Sequence, residues 1–228
     1  PMLCEVITQT DIDMVCLDAE HSPFDRMTLD QCIFALRAGG MPSVVRVPAL
    51  AAEHILNALD CGATGIVAPH IITAEDAHLA AARSHFGQGR GFAGSTRAAG
   101  YTSKSMATHM KDSQSDTVVI AQIEDKEALD HLDDIFATAG IDCFFIGRSD
   151  LTVSLGYDDP SHPDVVSAVE AICAKGKEAN VRLGTFTANI EEIPSWRAQN
   201  VSLFILASDH NFMLQGARSF SEKVRSYF

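Results

Sequence analysis

Short apolar runs alternate along the chain with longer segments in which apolar residues recur at helical spacing. The runs are rich in β-branched residues, and they predict strands at Met14–Leu17, Ser43–Val47, Gly65–Ala68, Thr117–Ile123, Asp142–Ile146, Arg182–Phe186 and Ser202–Ala207. The intervening segments predict helices at Asp25–Ala38, Ala51–Asp60, Thr73–Phe86, Lys126–Ala139, Pro163–Asn180 and Ile190–Gln199. Strands that alternate with helices indicate right-handed βαβ units and therefore a parallel sheet.

The number of strands favours a barrel whose first strand is missing. The chain opens on Met2–Thr10, whose spacing is helical, so seven strands are visible where a closed (β/α)₈ TIM barrel has eight. We therefore expect one barrel domain over residues 1–228, with a first strand upstream of Pro1. The alternative is an open, doubly wound sheet. Polar residues follow nearly every predicted strand, which favours the barrel because barrel active sites assemble at those ends.

Composition and charge narrow the class of protein. The 228 residues, 46% of them hydrophobic, are enough to bury one sizeable core. A formal charge of −13, with no run among the 17 basic residues, argues against nucleic acid or an anionic membrane as a partner. No apolar stretch approaches the roughly 20 residues of a membrane span, and the six cysteines show no C-x-x-C spacing. These features predict a cytoplasmic protein that acts on small molecules.

The segment Gly87–Ser103 is predicted to be a long glycine-rich loop. Its sequence from Gly89 to Gly94 matches G-x-G-x-x-G, but a dinucleotide fingerprint follows a strand, and this motif follows a helical segment. A loop of this length is usually functional. Arg97 within it is a candidate for contacting an anionic substrate, and the alternative is a surface arginine.

Two carboxylates follow neighbouring predicted strands. Gln122-Ile-Glu124 closes one strand, and Gly147-Arg-Ser149-Asp150 follows the next one. Because parallel strands end side by side, Glu124 and Asp150 are expected to meet and hold a hard divalent cation. Two carboxylates leave positions in an octahedral shell for water and a chelating 2-oxo acid, and they suit Mg²⁺ or Mn²⁺ better than structural Zn²⁺. The alternative is a pair of solvated or ion-paired acids.

Three further residues near strand or helix ends have side chains suited to acid–base chemistry or charge stabilisation. His21 follows the first strand and could carry a proton, or could be a solvated turn residue. Arg46 stands within an otherwise apolar predicted strand, where it could stabilise an enolate oxygen or form a salt bridge with another strand-end acid. Asp60 could cap its helix or orient a histidine. His70 and His210 also follow strands and could line the same pocket. The other histidines are predicted to lie at the surface: His54, His78, His85, His109, His131 and His162.

Taken together, these motifs resemble the HpcH/HpaI aldolases, a family of metal-dependent (class II) pyruvate aldolases. The resemblance extends over nearly the whole chain and rests on Asp18-Ala-Glu-His21, Val45-Arg-Val-Pro48, Asp60-Cys-Gly-Ala63, Arg90–Ser95, Gln122-Ile-Glu124 and Gly147-Arg-Ser-Asp150.

The resemblance implies a (β/α)₈ barrel in which Glu124 and Asp150 bind Mg²⁺ or Mn²⁺, with Co²⁺ as a further option. It also implies that Arg46 steadies an enolate oxygen, while His21 with Asp60 handles the methyl proton. The metal would chelate a 2-oxo acid such as pyruvate, whose enolate adds to an aldehyde or is released from a 4-hydroxy-2-oxo acid.

The resemblance further implies a substrate-binding role for Gln122 beside the metal. The backbone N–H groups of Ser149 and Asp150, at a predicted turn, are also suited to binding a substrate carboxylate. The resemblance also implies a homo-oligomer, a hexamer built as a trimer of dimers, in which the C-terminal helix, residues 208–228, is exchanged between subunits. Arg148 departs from the proline that many relatives carry. It could recognise an acidic or phosphorylated group, or pair with an outer carboxylate.

Other functions remain as alternatives at this point. A lyase or decarboxylase acting on oxaloacetate or an acyl-CoA thioester shares the enolate chemistry, and a non-catalytic metabolite-binding barrel shares the fold. A Schiff-base aldolase would need a lysine at a strand end, and the lysines all fall in predicted loops or helices. The sequence therefore favours a metal-dependent carbon–carbon lyase.

Overall fold

The computed structural model describes residues 1–228, and all seven predicted strands are present in one parallel sheet. The strands are β1 (Val15–Asp18), β2 (Ser43–Arg46), β3 (Gly65–Ala68), β4 (Val118–Ile123), β5 (Cys143–Ile146), β6 (Leu183–Thr187) and β7 (Val201–Leu206). They pair in sequence order, and every neighbouring pair is parallel. The alternation of strands and helices that the sequence predicts is thus confirmed.

Ten α-helices connect and flank the strands. They are α1 (Met2–Ile7), α2 (Arg26–Ala38), α3 (Ala52–Asp60), α4 (Ala74–Ser84), α5 (Met106–Asp116), α6 (Leu132–Phe136), α7 (Arg148–Ser154), α8 (Pro163–Glu178), α9 (Ile193–Ala198) and α10 (Asp209–Arg225). Short 3₁₀ turns at Lys126–His131 and Ile190–Glu192 precede α6 and α9, so two predicted helices begin as tighter turns. The side chains of Asp25 and Thr73 accept N–H groups at the starts of α2 and α4, as N-cap residues do.

The strand order decides between the two architectures considered for the sheet. A doubly wound sheet reverses its strand order at a switch point, whereas here the order runs from β1 to β7 without reversal. This is the order of a TIM barrel, and the open doubly wound sheet is excluded. β1 and β7 form the two edges of the sheet, and closure by an eighth strand stays a prediction.

The central strands β2 to β5 are buried on both faces, which explains why their sequences are nearly continuous apolar runs. Consecutive side chains of a strand point to opposite faces, so Val45 packs in a large cluster of 34 buried residues that includes the helices, whereas Val44 packs in a separate cluster of five. The smaller cluster also contains Val67, Ile120 and Phe145 from neighbouring strands. Polar side chains follow at the carboxyl ends of the strands, beyond this apolar layer.

The glycine-rich loop contains no helix or strand, as predicted. Two histidines that were predicted to lie at the surface are instead buried beneath it. His85 and His109 are only 6% and 3% exposed. The loop folds back so that the ring of Phe92 lies against His109, and Arg90 reaches the Ser113 hydroxyl at 3.1 Å. The burial arises because α5, which carries His109 and which the sequence pattern did not predict, lies beneath the loop.

Three other features are clear from the structure. All six cysteines are unpaired, and none of the helices is both long enough and apolar enough to cross a membrane. The C-terminal helix α10 has no buried residue, although it carries large apolar side chains. Phe212, Leu214 and Phe220 on this helix are therefore exposed in the single chain.

Candidate active site

Glu124 lies at the centre of the polar end of the sheet. It follows β4 directly, and it is only 2% exposed. Its Oε1 accepts the backbone N–H of His70 at 2.9 Å, and its Oε2 accepts a hydrogen bond from the Gln122 side chain. Burial raises the pKa of Glu124, the negative charge of Asp150 adds to the increase, and the hydrogen bond from His70 opposes it. A buried carboxylate of this kind is stabilised by a cation.

Gly147 brings the end of β5 against this carboxylate. β4 and β5 pair with Ile123 opposite Ile146, so the residues that follow them are neighbours. A Cβ atom on Gly147 would lie 2.7 Å from the Glu124 Cβ and 2.8 Å from its Oε2, closer than atoms pack. Only glycine fits here without displacing Glu124. The next residues begin α7, which carries the exposed Ser149 and Asp150 in its first turn.

His70 connects Glu124 to two further carboxylates. Its φ of +54° is in the left-handed region that few residues other than glycine adopt, and its ring Nδ1 lies 3.0 Å from Asp125 Oδ2. Its Nε2 lies 3.6 Å from Glu20 Oε1. Burial lowers the pKa of His70, but the bond to Asp125 and the charges of Glu124 and Glu20 outweigh burial and raise it overall.

The ligand atoms of His70, Glu124 and Asp125 all lie within 4.8 Å of one another, which is close enough for one metal ion to contact them. The sequence pattern predicted His70 only as a residue that could line the pocket, and it gave Asp125 no role. The signal for Asp125 was its position directly after Glu124 at a strand end. Glu20 could have been found from its position two residues after Asp18, at the end of the first predicted strand.

Arg46, at the end of β2, is held by two acids from the end of β1. Its Nε and Nη2 atoms donate to the two oxygens of Asp18 at 2.9 and 2.7 Å, and its Nη1 lies 3.3 Å from Glu20 Oε2. Burial raises the pKa of Asp18, but the bonds to Arg46 outweigh it and lower the pKa overall. The salt bridge that the sequence left as an alternative is therefore present. A guanidinium has five N–H donors, so Arg46 keeps donors beyond the two that Asp18 uses.

His21 stands at the same end of the sheet and is largely free. Its ring is 64% exposed, and its Nε2 lies 3.9 Å from Glu20 Oε2. Its backbone N–H donates to Asp18 at 3.3 Å, which ties the turn to the Arg46 ion pair. The structure therefore brings His21, Arg46, Gln122, Glu124 and Asp150 to one end of the sheet.

Asp60 and Arg97 lie away from this end of the sheet. α3 runs back from the end of β2, and Thr64, just after this helix, donates its N–H to Ser43 at the start of β2. Asp60, the last residue of α3, is thus at the opposite end of the sheet from His21, and it pairs with Arg90 at 2.9 Å. Arg97 is bound to Asp30 through Nη1 and Nη2 at 2.6 and 2.9 Å, and it donates to the carbonyl of Cys61.

The donor set at the polar end fits a divalent cation. Gln122 is buried, and its Oε1 has no hydrogen-bond partner, so an acceptor oxygen without a donor adjoins Glu124. Carboxylate and amide oxygens are the ligands of hard divalent cations, and imidazole suits softer first-row metals. The acids at this end exceed the arginines Arg46 and Arg148 in number: they are Asp18, Glu20, Glu124, Asp125 and Asp150. This end of the sheet is suited to a bound cation and an anionic substrate held through it.

The chain matches known proteins over most of its length. The sequence profile of the HpcH/HpaI aldolase/citrate lyase family matches residues 1–215. A hydroxypyruvate/pyruvate aldolase of Paraburkholderia phytofirmans is 32% identical over 231 residues, which cover 97% of this chain and 88% of the relative. A 5-keto-4-deoxy-D-glucarate aldolase of Escherichia coli K12 is 33% identical over 210 residues, which cover 89% of this chain and 81% of the relative.

A crystal structure shares the fold at comparable identity. An HpcH/HpaI aldolase/citrate lyase family protein from Burkholderia cenocepacia J2315 superposes with a TM-score of 0.91 at 33% identity, over 98% of this chain and 90% of the other. The profile match, the two aldolases and this structure agree with the motifs that the sequence carries. The chain belongs to the HpcH/HpaI aldolase/citrate lyase family.

Proposed function

We propose that the chain is a divalent-metal-dependent aldolase that forms or cleaves 4-hydroxy-2-oxo acids through the enolate of pyruvate or a close 2-oxo acid. The aldolase activity, and hence its class as a carbon–carbon lyase, follows from the family and from the relatives named as aldolases. The observation that carries the proposal is the buried Glu124 carboxylate, which shares one end of the sheet with Asp150, Arg46 and His21.

Glu124 and Asp150 would hold the cation, with Gln122 beside them. Their oxygens favour Mg²⁺ or Mn²⁺, and Co²⁺ is a further option. When bound, the cation supplies a Lewis acid that stabilises negative charge on the keto oxygen of the substrate. The buried, partnerless Oε1 of Gln122 and the raised pKa of Glu124 both support a cation at this position.

Side-chain and backbone groups of the chain would each have a separate role in forming the enolate. Removal of a methyl proton from pyruvate leaves charge on the keto oxygen, and the remaining N–H donors of Arg46 would stabilise that charge as it develops. His21, exposed at the end of β1, would carry the proton between the methyl group and water. Backbone N–H groups of Ser149 and Asp150 would bind the substrate carboxylate at the start of α7.

We propose in addition that an eighth strand closes the sheet into a barrel, and that the protein assembles as a hexamer, a trimer of dimers. α10 supports exchange of the C-terminal helix, because its apolar residues have nothing to pack against within one chain. A role for Asp60 toward His21 would require two subunits, since these residues are at opposite ends of the sheet in one chain. Mixing His21→Ala subunits with Asp60→Asn subunits, each impaired on its own, should then raise activity above that of either variant alone, and mixtures without this gain would contradict a shared site.

The function is tested by metal removal and replacement. Treatment with EDTA should abolish aldol addition of pyruvate or hydroxypyruvate to a panel of aldehydes, and Mn²⁺ or Mg²⁺ should restore it. Borohydride should trap no adduct with pyruvate, because no lysine lies within a strand. Activity that is indifferent to chelation, together with a trapped adduct, would refute the metal mechanism. Turnover restricted to oxaloacetate or an acyl-CoA thioester would favour the alternative lyase.

A further inference from the structure

We propose that Arg148 is a positioning residue which anchors the first turn of α7, and with it Asp150, through an ion pair with Glu192. This inference rests on the proposed metal site and deepens it. It assigns Arg148 to the support of a metal-binding residue and not to the recognition of an acidic substrate. The sequence left both roles open.

Three side chains contact the same carboxylate oxygen of Glu192. Arg148 Nη2 lies 3.2 Å from Glu192 Oε2, the Thr187 hydroxyl lies 3.3 Å from the same oxygen, and Trp196 Nε1 lies 3.4 Å from it. The guanidinium also lies over the Trp196 ring, with its carbon 5.6 Å from the ring centroid. Thr187 and Trp196 are buried, so Glu192 is fixed to rigid parts of the fold.

Arg148, which pairs with Glu192, is two residues before Asp150 in the sequence. Arg148 begins α7, and its carbonyl oxygen accepts the Thr152 hydroxyl at 2.7 Å, so the whole turn is tied to its first residue. On the other side, Gly147 packs directly against Glu124. The turn that carries Asp150 is thus held between Glu124 and the end of β6. Because metal sites depend on the groups that orient their ligands, loss of the ion pair should move Asp150.

The surroundings of Arg148 are unfavourable for an anionic substrate. It borders a cavity of about 300 Å³ whose other charged lining residues are Glu170 and Glu192, so two acids oppose one cation. Gln199 also borders the cavity, and its buried Oε1 is an acceptor without a donor. A carboxylate or phosphate entering here would meet an excess of negative charge and acceptors. Pairing with Glu192 is the role that this arrangement supports.

The test measures Mn²⁺ affinity of the full-length chain, by the electron paramagnetic resonance signal of free Mn²⁺. Arg148→Met should weaken Mn²⁺ binding about three- to fivefold, because the ion pair is about a third exposed and acts on Asp150 only through the turn that carries it. Glu192→Gln, which keeps volume, should weaken binding in the same direction. The exchanged pair Arg148→Glu with Glu192→Arg should recover part of the loss. Arg197→Met, an exposed arginine of α9 without an ion pair, is the matched control and should bind Mn²⁺ like the wild type.

Steady-state kinetics separate positioning from substrate recognition. Arg148→Met should lower kcat to the same extent with a neutral acceptor, glycolaldehyde, and an anionic acceptor, glyoxylate. Unchanged Mn²⁺ affinity, with a raised KM for glyoxylate alone, would overturn the positioning role. If the wild type binds no Mn²⁺, or Asp150→Asn binds it equally well, the proposed metal site fails as well. Those two results therefore distinguish failure of the function from failure of this inference.

Discussion

Gly147→Ala should disturb the metal site by a purely steric effect. The φ of Gly147 is −83°, a value that alanine adopts without strain, so the substitution tests only the space beside Glu124. The added Cβ would lie 2.8 Å from Glu124 Oε2 and 3.0 Å from Gln122 Nε2. Ordinary contacts of this kind are about 3.5 Å, so the carboxylate must move by roughly 0.7 Å.

A displacement of this size affects both binding and stability. Sites that bind metals require their ligands within about 0.5 Å of the productive position, so Mn²⁺ affinity should fall at least tenfold. Overpacking of this kind should also cost about 1–3 kcal/mol of unfolding free energy. Calorimetric titration with Mn²⁺ and urea unfolding of the metal-free chain measure the two effects.

The control for this substitution is Gly91→Ala in the glycine-rich loop. A Cβ there would meet only Leu56 Cδ2, at 4.0 Å, which is an ordinary contact. This variant should bind Mn²⁺ like the wild type. Wild-type Mn²⁺ affinity in Gly147→Ala would refute the assignment of Glu124 as a metal ligand held against the end of β5.

Two further predictions concern stability. Because burial raises the pKa of Glu124, the folded chain binds a proton on this carboxylate more tightly than the unfolded chain does. Without metal, the free energy of unfolding should therefore fall as pH rises from about 4.5 through the raised pKa. Urea midpoints against pH should show this fall weakened in Glu124→Gln, and identical profiles would contradict it. Asp60→Asn should cost about 3 kcal/mol, because it removes the negative charge that balances the Arg90 guanidinium, whose side chain is only 2% exposed. Asp112→Asn, which breaks an exposed ion pair with Lys104, should leave the urea midpoint nearly unchanged. Equal losses of stability in the two variants would refute the claim that the buried pair matters more than the exposed one.

The regular elements were predictable where their apolar patterns were strong. The seven strands were found because each is a short, largely apolar run, and the run is nearly continuous in the buried strands β2 to β5. Helix α5 was missed because the residues that it buries, His109 and Ser113, are polar and give no apolar stripe. Helix α7 was missed because it is a seven-residue turn of mostly polar residues directly after a strand.

The candidate site was predictable in part. Glu124, Asp150 and Arg46 follow or end strands, and the carboxyl ends of parallel strands meet, so their proximity follows from the strand order. The contacts of His70 depend on a left-handed backbone that the sequence does not reveal at a residue other than glycine. The pairing of Asp60 with Arg90 joins residues 30 positions apart through a folded loop, which no local pattern indicates.

The central claim is that this chain forms an enolate with the help of a cation held by Glu124. The most direct measurement is exchange of pyruvate methyl protons for deuterium in D₂O, followed by mass spectrometry without any aldehyde. We predict exchange in the wild type with Mg²⁺ or Mn²⁺, no exchange after EDTA, and none in Glu124→Gln; His21→Ala should exchange slowly while it still binds Mn²⁺. Exchange at the wild-type rate in Glu124→Gln treated with EDTA would contradict the account.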